Sequence, residues 1–418
     1  MSTKKILILG GGFGGIRAAL ELEKAKLSNA RIILISDKSH FEYHAALYRL
    51  VTGRTPLEVC IPLHDIIDDK QIEIVIDEVT AVNLAARTVI GKFARYQYDY
   101  LVLGLGSETS YFSIPGLKEL SFDFKSISGA LRLKQHFHDI LETHHLGKSK
   151  EKLPAANFVI IGGGASGVEL AGELAVYITD LAASHDFNPE LVTIDLVEAA
   201  PRLLPNMPEG FSRTVTNRLR YLGVNIFTNR SVLREDVERL YLKDMELQTK
   251  TVIWTAGIKP HRLYSEIQGL QFDSRGRVKI AEHLEVPNFQ GVFVIGDAAA
   301  TKYSGMAQTA IYDGRFVAAA ISKLIRNEEP LSYNAKKPFY AIPVGPRWAA
   351  ALIGGVSFYG QLGWIIRRIA DLRYFLSILP FRKAINAFRN GKTICESCAI
   401  CEPINYGRKE ILKGGEIR

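Results

Sequence analysis

A glycine-rich stretch in the middle of the chain, 158–169, has the residue types and spacing that suit a dinucleotide-binding turn. Gly162, Gly164 and Gly167 follow an apolar run and precede a helical pattern. In such a turn the first glycine permits the tight bend, the second admits a pyrophosphate and the third allows close helix packing. The helix N-terminus then offers free N–H groups to the phosphates. The next apolar strand ends at Glu198, whose carboxylate can accept both hydroxyls of a ribose.

The same arrangement occurs at the start of the chain. An apolar strand at 5–9 leads into a second Gly-x-Gly-x-x-Gly turn, and the following strand ends at an acid. The residues predicted to bind a nucleotide here are Gly10, Gly12, Phe13, Gly14, Gly15 and Asp37. Two complete turns predict two bound nucleotides, most simply a flavin and a nicotinamide.

The elements that must position these residues are strands, each followed by a glycine turn and a helix. This order predicts an α/β protein with two Rossmann-like dinucleotide-binding domains and a C-terminal α+β domain that associates with a membrane. The segment 72–89 alternates like the strands of a small antiparallel sheet. Apolar strands running into small-residue turns predict further cofactor contacts at Gly106 and Gly257.

A third acid follows a buried strand late in the chain, in the segment 291–299. The strand delivers Asp297, preceded by Gly296, and a carboxylate at that point can bind the ribityl hydroxyls of a flavin. This predicts that the chain returns to the first domain. Capping of the next helix by Asp297 is compatible with this binding role. Gln308 begins that helix, where it either faces the redox centre or is an ordinary polar residue at a helix start.

The composition is that of an ordinary globular protein, with 47% hydrophobic and 23% charged residues in 418. The net charge of +8 is concentrated near the C-terminus, which favours an anionic surface over nucleic acid as the partner. Four cysteines exclude a disulfide scaffold and suit a reducing compartment. The first strand starts too early to leave room for a signal peptide.

The C-terminal region predicts membrane contact without a membrane-spanning helix. The uncharged stretch 348–366 contains Gly354, Gly355 and Gly360, which favour a strand, a turn and a strand. The stretch 364–388, broken by Pro380, predicts two basic amphipathic helices at a membrane interface, with a pair packed on the protein body or a dimer contact as alternatives. The positive charges assigned to that interface are Arg367, Arg368, Arg373, Arg382, Lys383 and Arg389.

Three cysteines near the C-terminus have a spacing used for metal or cluster ligation. Cys395, Cys398 and Cys401 lack a fourth cysteine, because Asn405 occupies its place. Metal binding, redox-active thiols and an incidental or partner-binding tail all stay open, and no metal site is predicted. The remaining Cys60 is interpreted as a small buried hydrophobe.

The order of these motifs resembles the two-dinucleotide flavoprotein reductases, and among them the type II NADH dehydrogenases, over nearly the whole chain to about residue 390. The residues that carry the resemblance are Gly10 to Gly15, Tyr98 to Ser107, Gly162 to Glu173, Glu198, Trp254 to Gly257, Gly296, Asp297 and Ala307 to Ala310.

The resemblance implies a role for each of these positions. FAD would occupy the first turn, with Asp37 on its adenosine ribose and Asp297 on its ribityl chain. NADH would occupy the second as co-substrate, with Glu198 on its ribose and Glu169 near the nicotinamide. Gln308 would lie between the flavin and a quinone pocket. Hydride would pass from NADH to flavin N5, and two electrons would then pass to a membrane quinone without ion pumping.

Two departures bear on the electron acceptor. The family pattern Ala-Gln-x-Ala-x-Gln has Tyr312 in place of its second glutamine, and a phenol can still hydrogen-bond a quinone carbonyl. The paired redox cysteines of disulfide and sulfide reductases are absent from the body of the chain, which predicts hydride transfer without a thiol relay. An FAD reductase that serves a protein carrier, and a flavoprotein that senses NADH without turnover, are the alternatives.

The expected organisation places the enzyme peripherally on the cytoplasmic side of a membrane, and a homodimer stays open. The predicted segments are 1–115 for the first part of the FAD domain, 116–153 for a connecting helix and linker, 154–285 for the NADH domain, 286–330 for the second part of the FAD domain, 331–392 for the C-terminal hairpin and helices, and 393–418 for the cysteine-containing tail.

Overall fold

The computed structural model describes residues 3–145 and 156–390. The elements of its N-terminal section are β1 (Lys4–Leu9), α1 (Phe13–Lys24), β2 (Ala30–Ser36), β3 (His40–Glu42), α2 (Leu47–Val51), β4 (Cys60–Pro62), α3 (Leu63–Ile67), β5 (Ile72–Ile76), β6 (Val79–Asn83), β7 (Thr88–Gly91), β8 (Arg95–Gln97), β9 (Tyr100–Leu103), β10 (Ser107–Thr109), α4 (Leu117–Leu120), β11 (Phe122–Asp123) and α5 (Ile127–His145).

The middle section contains a second set of alternating strands and helices. Its elements are β12 (Asn157–Ile161), α6 (Ala165–Ser184), β13 (Thr193–Val197), α7 (Glu209–Tyr221), β14 (Asn225–Phe227), β15 (Val232–Asp236), β16 (Arg239–Leu242), β17 (Met245–Gln248), β18 (Thr251–Trp254), β19 (Ile258–Pro260), α8 (Leu263–Glu266) and β20 (Val292–Val294). The C-terminal section has α9 (Ala307–Ile325), β21 (Tyr340–Pro343), β22 (Ala349–Ile353), β23 (Val356–Phe358), α10 (Gly360–Ile378) and α11 (Phe381–Asn390).

The first nucleotide unit is a parallel sheet in the order β20-β9-β1-β2-β5. Its central strand β1 is apolar on both faces, as a strand covered on both sides must be, and Ile6 to Leu9 are fully buried. Because β20 pairs with β9, the chain does return to the first sheet after the second unit. The structure thereby places Asp297 at the same sheet edge as the first glycine turn.

The second nucleotide unit repeats this plan with the order β11-β18-β12-β13-β14. Strand β12 lies between β18 and β13, so the second glycine turn also leaves from the middle of a parallel sheet. The two units are joined by an antiparallel pair, β10 with β19, in which Ser107 lies opposite Pro260.

The C-terminal section is a three-stranded antiparallel sheet followed by two helices. Gly354 and Gly355 both have positive φ, at +57° and +91°, and connect β22 to β23 in the predicted strand, turn and strand. Pro380 separates α10 from α11, so the predicted break between two helices is present.

One detail of the sequence prediction is wrong. The stretch 72–89 was expected to form an antiparallel sheet, but its first part, β5, pairs in parallel with β2 at the edge of the first sheet. Alternating apolar and polar residues fit any strand with one exposed face, so this pattern did not distinguish the two arrangements. Only β6, β7 and β8 form the antiparallel sheet.

Candidate functional site

The first glycine turn has no room for side chains where it faces the protein, but has open space on its other side. Gly10 has a φ of +106°, and a Cβ at this position would collide with the carbonyl oxygen of Gly104. A Cβ on Gly15 would collide with the carbonyl oxygen of Gly10. A Cβ on Gly12 would meet nothing within 4 Å. The turn therefore leaves open space where a pyrophosphate would approach the backbone.

The second glycine turn has the same steric pattern. Gly162 has a φ of +112°, a Cβ on Gly167 would collide with the carbonyl oxygen of Gly162, and Gly164 is open to 4 Å. The two turns thus share a geometry that only glycine allows, which is why the sequence pattern located both of them.

A cavity of about 230 Å³ lies beside the first turn. Gly10 and the exposed Asp37 line it on one side, and Leu105 and His261 line it on the other. It lies past the carboxyl ends of β1 and β2, where open parallel sheets bind nucleotides. Asp37 is therefore placed to meet the nucleoside end of a ligand whose phosphates lie on the first turn.

Glu198 is held against the second turn by the backbone. One carboxylate oxygen, Oε2, accepts a hydrogen bond from the Gly163 amide at 2.6 Å, and Oε1 accepts one from the Ala200 amide at 2.7 Å. Each carboxylate oxygen keeps a further lone pair. The side chain is thus oriented beside the turn and can still accept hydrogen bonds from the two hydroxyls of a ribose.

Asp297 follows β20 in a short turn organised by a buried acid. Gly296 has a φ of +72°, and its amide donates to Asp313 Oδ2 at 3.0 Å. Tyr333 donates its hydroxyl proton to Asp313 Oδ1 at 2.6 Å. Burial raises the pKa of Asp313 to about 6, although these hydrogen bonds oppose the rise. This arrangement fixes the backbone that carries Asp297.

A lysine that the sequence analysis did not identify completes the surroundings of Asp297. The Ser107 hydroxyl is hydrogen-bonded to Asp297 Oδ2, and Lys125 Nζ donates to Ser107 Oγ at 2.6 Å. Burial lowers the pKa of the Lys125 ammonium group, and the carboxylates of Asp297 and Glu108 oppose that effect.

Glu169 is the fifth residue of α6, just after its first turn, and faces the C-terminal helix α10. Arg367 Nη1 lies 3.3 Å from Glu169 Oε1. Burial raises the pKa of Glu169 to about 7, and the guanidinium groups of Arg367 and Arg49 limit the rise. Burial therefore moves the pKa of Glu169 toward neutrality even beside two guanidinium groups.

Arg367 belongs to a buried ion network that links α10 to the first unit. Asp371 Oδ1 accepts from Arg367 at 3.0 Å and from the Tyr43 hydroxyl at 2.7 Å. Asp371 Oδ2 accepts from Arg49 at 3.1 Å and from Arg368 at 3.3 Å. Burial opposes ionisation of Asp371, but the guanidinium groups outweigh it and the pKa of Asp371 is lowered.

Glu58 completes the ion network from the first unit. Its Oε1 accepts from Arg49 at 2.5 Å and from Arg368 at 3.0 Å. The network therefore sets Arg49, Arg367 and Arg368 against Glu58, Asp371 and Glu169. The charges balance only when Glu169 is ionised.

This network corrects one sequence-based assignment. Arg367 and Arg368 were expected to supply positive charge to a membrane interface, but they are only 7% and 8% exposed. Two of their partners, Glu58 and Glu169, lie far away in the sequence, so helical periodicity could not reveal those two contacts. Among the expected charges, Arg373, Arg382 and Arg389 are exposed, while Lys383 is half-buried and pairs with Asp65 at 2.7 Å.

The outer face of α10 and the start of α11 are apolar and exposed. The large side chains on this face are Leu362, Ile365, Ile369, Leu376 and Phe381, with exposures of 53%, 46%, 60%, 42% and 70%. A contiguous exposed apolar face on a soluble domain marks an interaction surface. Across residues 3–145 and 156–390, no helix has the length and hydropathy needed to cross a membrane.

Gln308 and Tyr312 lie one helical turn apart on α9 and both contact the segment 333–339. The Gln308 amide donates from Nε2 to the Phe339 carbonyl at 2.8 Å and accepts from the Phe339 amide at 3.1 Å. Lys336 Nζ lies 4.8 Å from the centre of the Tyr312 ring. The amide of Gln308 thus holds the chain that enters β21, and its contact with a flavin or quinone stays a prediction.

Two cysteine predictions have different outcomes. Cys60 lies in β4 and is partly buried. Cys395, Cys398 and Cys401 lie outside the described residues, so their role stays open.

Sequence reasoning also missed Arg49, Lys125 and Asp371. One signal was available for Asp371, because it is the only acid among the many basic residues of 364–389. A single carboxylate three and four residues after two arginines predicts paired rather than solvated guanidinium groups.

Comparisons with known proteins identify the family of this chain. A family model for pyridine nucleotide-disulphide oxidoreductases matches residues 4–314. A type II NADH:quinone oxidoreductase of Mycobacterium tuberculosis is 29% identical over 89% of this chain and 84% of its own length. A protein of the same name from Staphylococcus haemolyticus is 26% identical over 91% and 98%, respectively.

A solved structure supports the fold. The NDH2 of Plasmodium falciparum in complex with NADH superposes with a TM-score of 0.83 and 18% identity, over 93% of this chain and 97% of that one. The predicted fold class, the predicted oxidoreductase activity and the resemblance to type II NADH dehydrogenases are therefore confirmed. Since the family model covers most of the sequence, this chain belongs to the pyridine nucleotide-disulphide oxidoreductase family.

Proposed function

We propose that this protein oxidises NADH on bound FAD and passes the two electrons to a membrane quinone. The observation that carries the proposal is the pair of sterically similar glycine turns, one in each unit. The helix that follows the second turn, α6, packs against α2 of the first unit. Two nucleotides bound in this way would meet at the contact between the units.

The first turn is proposed to hold FAD. Its residues fit the group, because the backbone at Gly12 is open to a pyrophosphate and a cavity beside Asp37 can take the nucleoside. Asp297, at the same sheet edge, would receive the ribityl hydroxyls. Family membership and the named relatives support FAD and NADH as the two nucleotides.

The second turn is proposed to hold NADH. Glu198 would accept the ribose hydroxyls, and its negative charge would repel the 2′-phosphate of NADPH. Glu169 would face the nicotinamide, since it is the fifth residue of α6, the helix that follows the second glycine turn. When bound, FAD would accept a hydride and then give up two electrons.

Quinone is the proposed electron acceptor because the relatives named above are NADH:quinone oxidoreductases. Gln308 and Tyr312 would line its pocket, with the Tyr312 hydroxyl as a hydrogen-bond donor to a quinone carbonyl. No step in this scheme moves an ion across a membrane.

The exposed apolar face of α10 and α11 is proposed to rest on the cytoplasmic surface of the membrane. Arg373 and Arg382 are exposed on the same helices and would meet anionic lipid headgroups. An apolar face with basic residues at its side is the pattern of a helix that lies in the interface plane.

Steady-state oxidation of NADH, followed at its nicotinamide absorbance, tests this function. Purified protein loaded with FAD should consume NADH only when a short-chain quinone is present, and should prefer NADH to NADPH. Equal rates with and without quinone would refute the quinone as acceptor.

A further inference from the structure

Lys125 connects the two nucleotide units beside Asp297, the carboxylate that follows β20 in the first unit. It follows β11, which belongs to the second sheet, and precedes α5. The helix start is fixed because Ser126 Oγ accepts a hydrogen bond from the Gly129 amide at 3.0 Å. From there the Lys125 side chain reaches Ser107 of the first unit at 2.6 Å.

The chemistry of the three groups sets the direction of the hydrogen bonds. An ammonium group can only donate and an ionised carboxylate can only accept, whereas a hydroxyl does both. Lys125 therefore donates to Ser107, and Ser107 donates to Asp297 Oδ2. Charge at both ends strengthens the two bonds and polarises the hydroxyl between them.

The neighbouring charges indicate that Asp297 is the carboxylate with which Lys125 interacts. Glu108, the other carboxylate near Lys125, has a cation of its own, since Lys259 Nζ lies 3.1 Å from Glu108 Oε1. The contact that leads from Lys125 through Ser107 ends on Asp297. The second unit thus contributes a positive charge to a carboxylate of the first.

We propose that Lys125 is a positioning residue of the first site, which orients Asp297 through Ser107 and makes the site favourable for an electron-rich, reduced flavin. This inference rests on the proposed function, in which FAD occupies the first turn. Ser107 donates a hydrogen bond to Asp297 Oδ2, so the carboxylate is held with Oδ1 available to a ribityl hydroxyl. The ammonium charge stabilises the added negative charge of a reduced flavin.

A purely structural role for Lys125 predicts something different. If it only pinned the two units together, its loss would lower stability and leave the redox potential of bound FAD unchanged. A residue that acts on the flavin through charge must change the potential, and arginine must substitute for it better than an uncharged side chain of similar length.

The test compares Lys125→Met with Lys125→Arg in the full-length protein loaded with FAD. Lys118→Met is the matched control, because it removes the same charge from an exposed position of the same connecting segment. The readouts are the midpoint potential of FAD, from anaerobic titration with a reference dye, and the dissociation constant of FAD. Ser107→Ala is a further variant, which keeps the ammonium charge but removes the hydroxyl.

Lys125→Met should reduce the equilibrium constant for flavin reduction at least tenfold, which is a shift of about 30 mV to lower potential for a two-electron couple. Lys125→Arg should stay within about threefold of wild type, Lys118→Met should match wild type, and Ser107→Ala should bind FAD more weakly. If Lys125→Met does not fold, as judged by circular dichroism, wild-type FAD affinity in Ser107→Ala would by itself overturn the inference.

Unchanged potential and FAD affinity in folded Lys125→Met would also overturn it. A wild-type protein that takes up no FAD would instead refute the proposed function as a whole, so the two failures are distinguishable.

Discussion

Single carboxylates in the two nucleotide sites are held in different ways. Glu198 accepts hydrogen bonds from the Gly163 and Ala200 amides, so its direction is set by backbone. Asp37 lies exposed beside a cavity. A carboxylate fixed by backbone amides, as that of Glu198 is, would need little further ordering to bind a ribose, and its charge would repel a phosphate at the same place.

Replacing Glu198 tests this selectivity. Glu198→Gln removes the charge, and its amide cannot accept both backbone hydrogen bonds, so the KM for NADH should rise about tenfold, or roughly 1.4 kcal/mol. The kcat/KM ratio of NADPH to NADH should rise as well. Steady-state kinetics with both nucleotides measures this, with the exposed Glu209→Gln as control. An unchanged nucleotide preference would contradict the assigned role.

Arg367 should set the pH at which Glu169 titrates. The guanidinium group favours the ionised carboxylate, so its removal in Arg367→Met should raise the pKa of Glu169 above its value of about 7. The corresponding inflection in the pH profile of kcat/KM should move to higher pH, while Arg367→Lys should keep it closer to wild type. The exposed Arg373→Met, on the same helix, is the control and should leave the profile in place.

Among the structural elements, the sheet of β15, β16 and β17 contains an acid without a partner. Glu235 is 6% exposed, and its buried Oε2 has no hydrogen-bond partner among the described residues. Burial raises the pKa of Glu235 to about 8. Because the pKa is raised on folding, the contribution of Glu235 to stability is fully present below pH 4.5 and is lost as the pH rises through 8.

Glu235→Gln should remove this pH dependence. The glutamine is neutral throughout, so the variant should gain stability over wild type as the pH rises from about 5 to 8, by roughly 3 kcal/mol at the upper end. Urea unfolding at several pH values measures the difference. The exposed Glu238→Gln, in the turn between β15 and β16, is the control. A constant difference between Glu235→Gln and wild type across this range would contradict the buried state.

The elements differ in how far the sequence could predict them. Both glycine turns were found because Gly10 and Gly162 occupy conformations that other residues adopt at a steric cost. The return of the chain at β20 was found because a buried strand must join a sheet. The pairing of Arg368 with Glu58 was not, because the two residues are 310 positions apart and no local period records such a contact.

The sequence also failed to predict the partners of site residues that are closer along the chain. Gln308 was assigned from its place in a motif, yet its amide is bound to the backbone of Phe339, 31 residues later. Lys125 carried no signal in the sequence, since a lysine before a helix is ordinary. Side-chain partners chosen by tertiary packing have to be read from the structure.

Across the whole molecule, α10 contacts both nucleotide units. Its inner face contacts the first unit through Asp371 and Arg49, and the second unit through Arg367 and Glu169. Its outer face is apolar and exposed. The helix that would meet the membrane therefore contacts Glu169, which follows the second glycine turn.

Binding to lipid vesicles tests the outer face. Ile369→Asp, at a position that is 60% exposed, should reduce partitioning onto vesicles containing phosphatidylglycerol about tenfold or more, since burial of one large aliphatic side chain is worth about 1.5–3 kcal/mol. Val237→Asp changes an apolar residue with 72% exposure in the second unit and should bind like wild type. Equal loss in both variants would argue against this face.

The central claim is that electrons enter from NADH and leave to a quinone. Anaerobic stopped-flow absorbance of the FAD-loaded protein tests it most directly, with NADH mixed first and a short-chain quinone second. Rapid bleaching of the flavin by NADH, followed by rapid recovery with quinone, is the predicted result. Bleaching without recovery would contradict the quinone as acceptor, and no bleaching would contradict the oxidation of NADH.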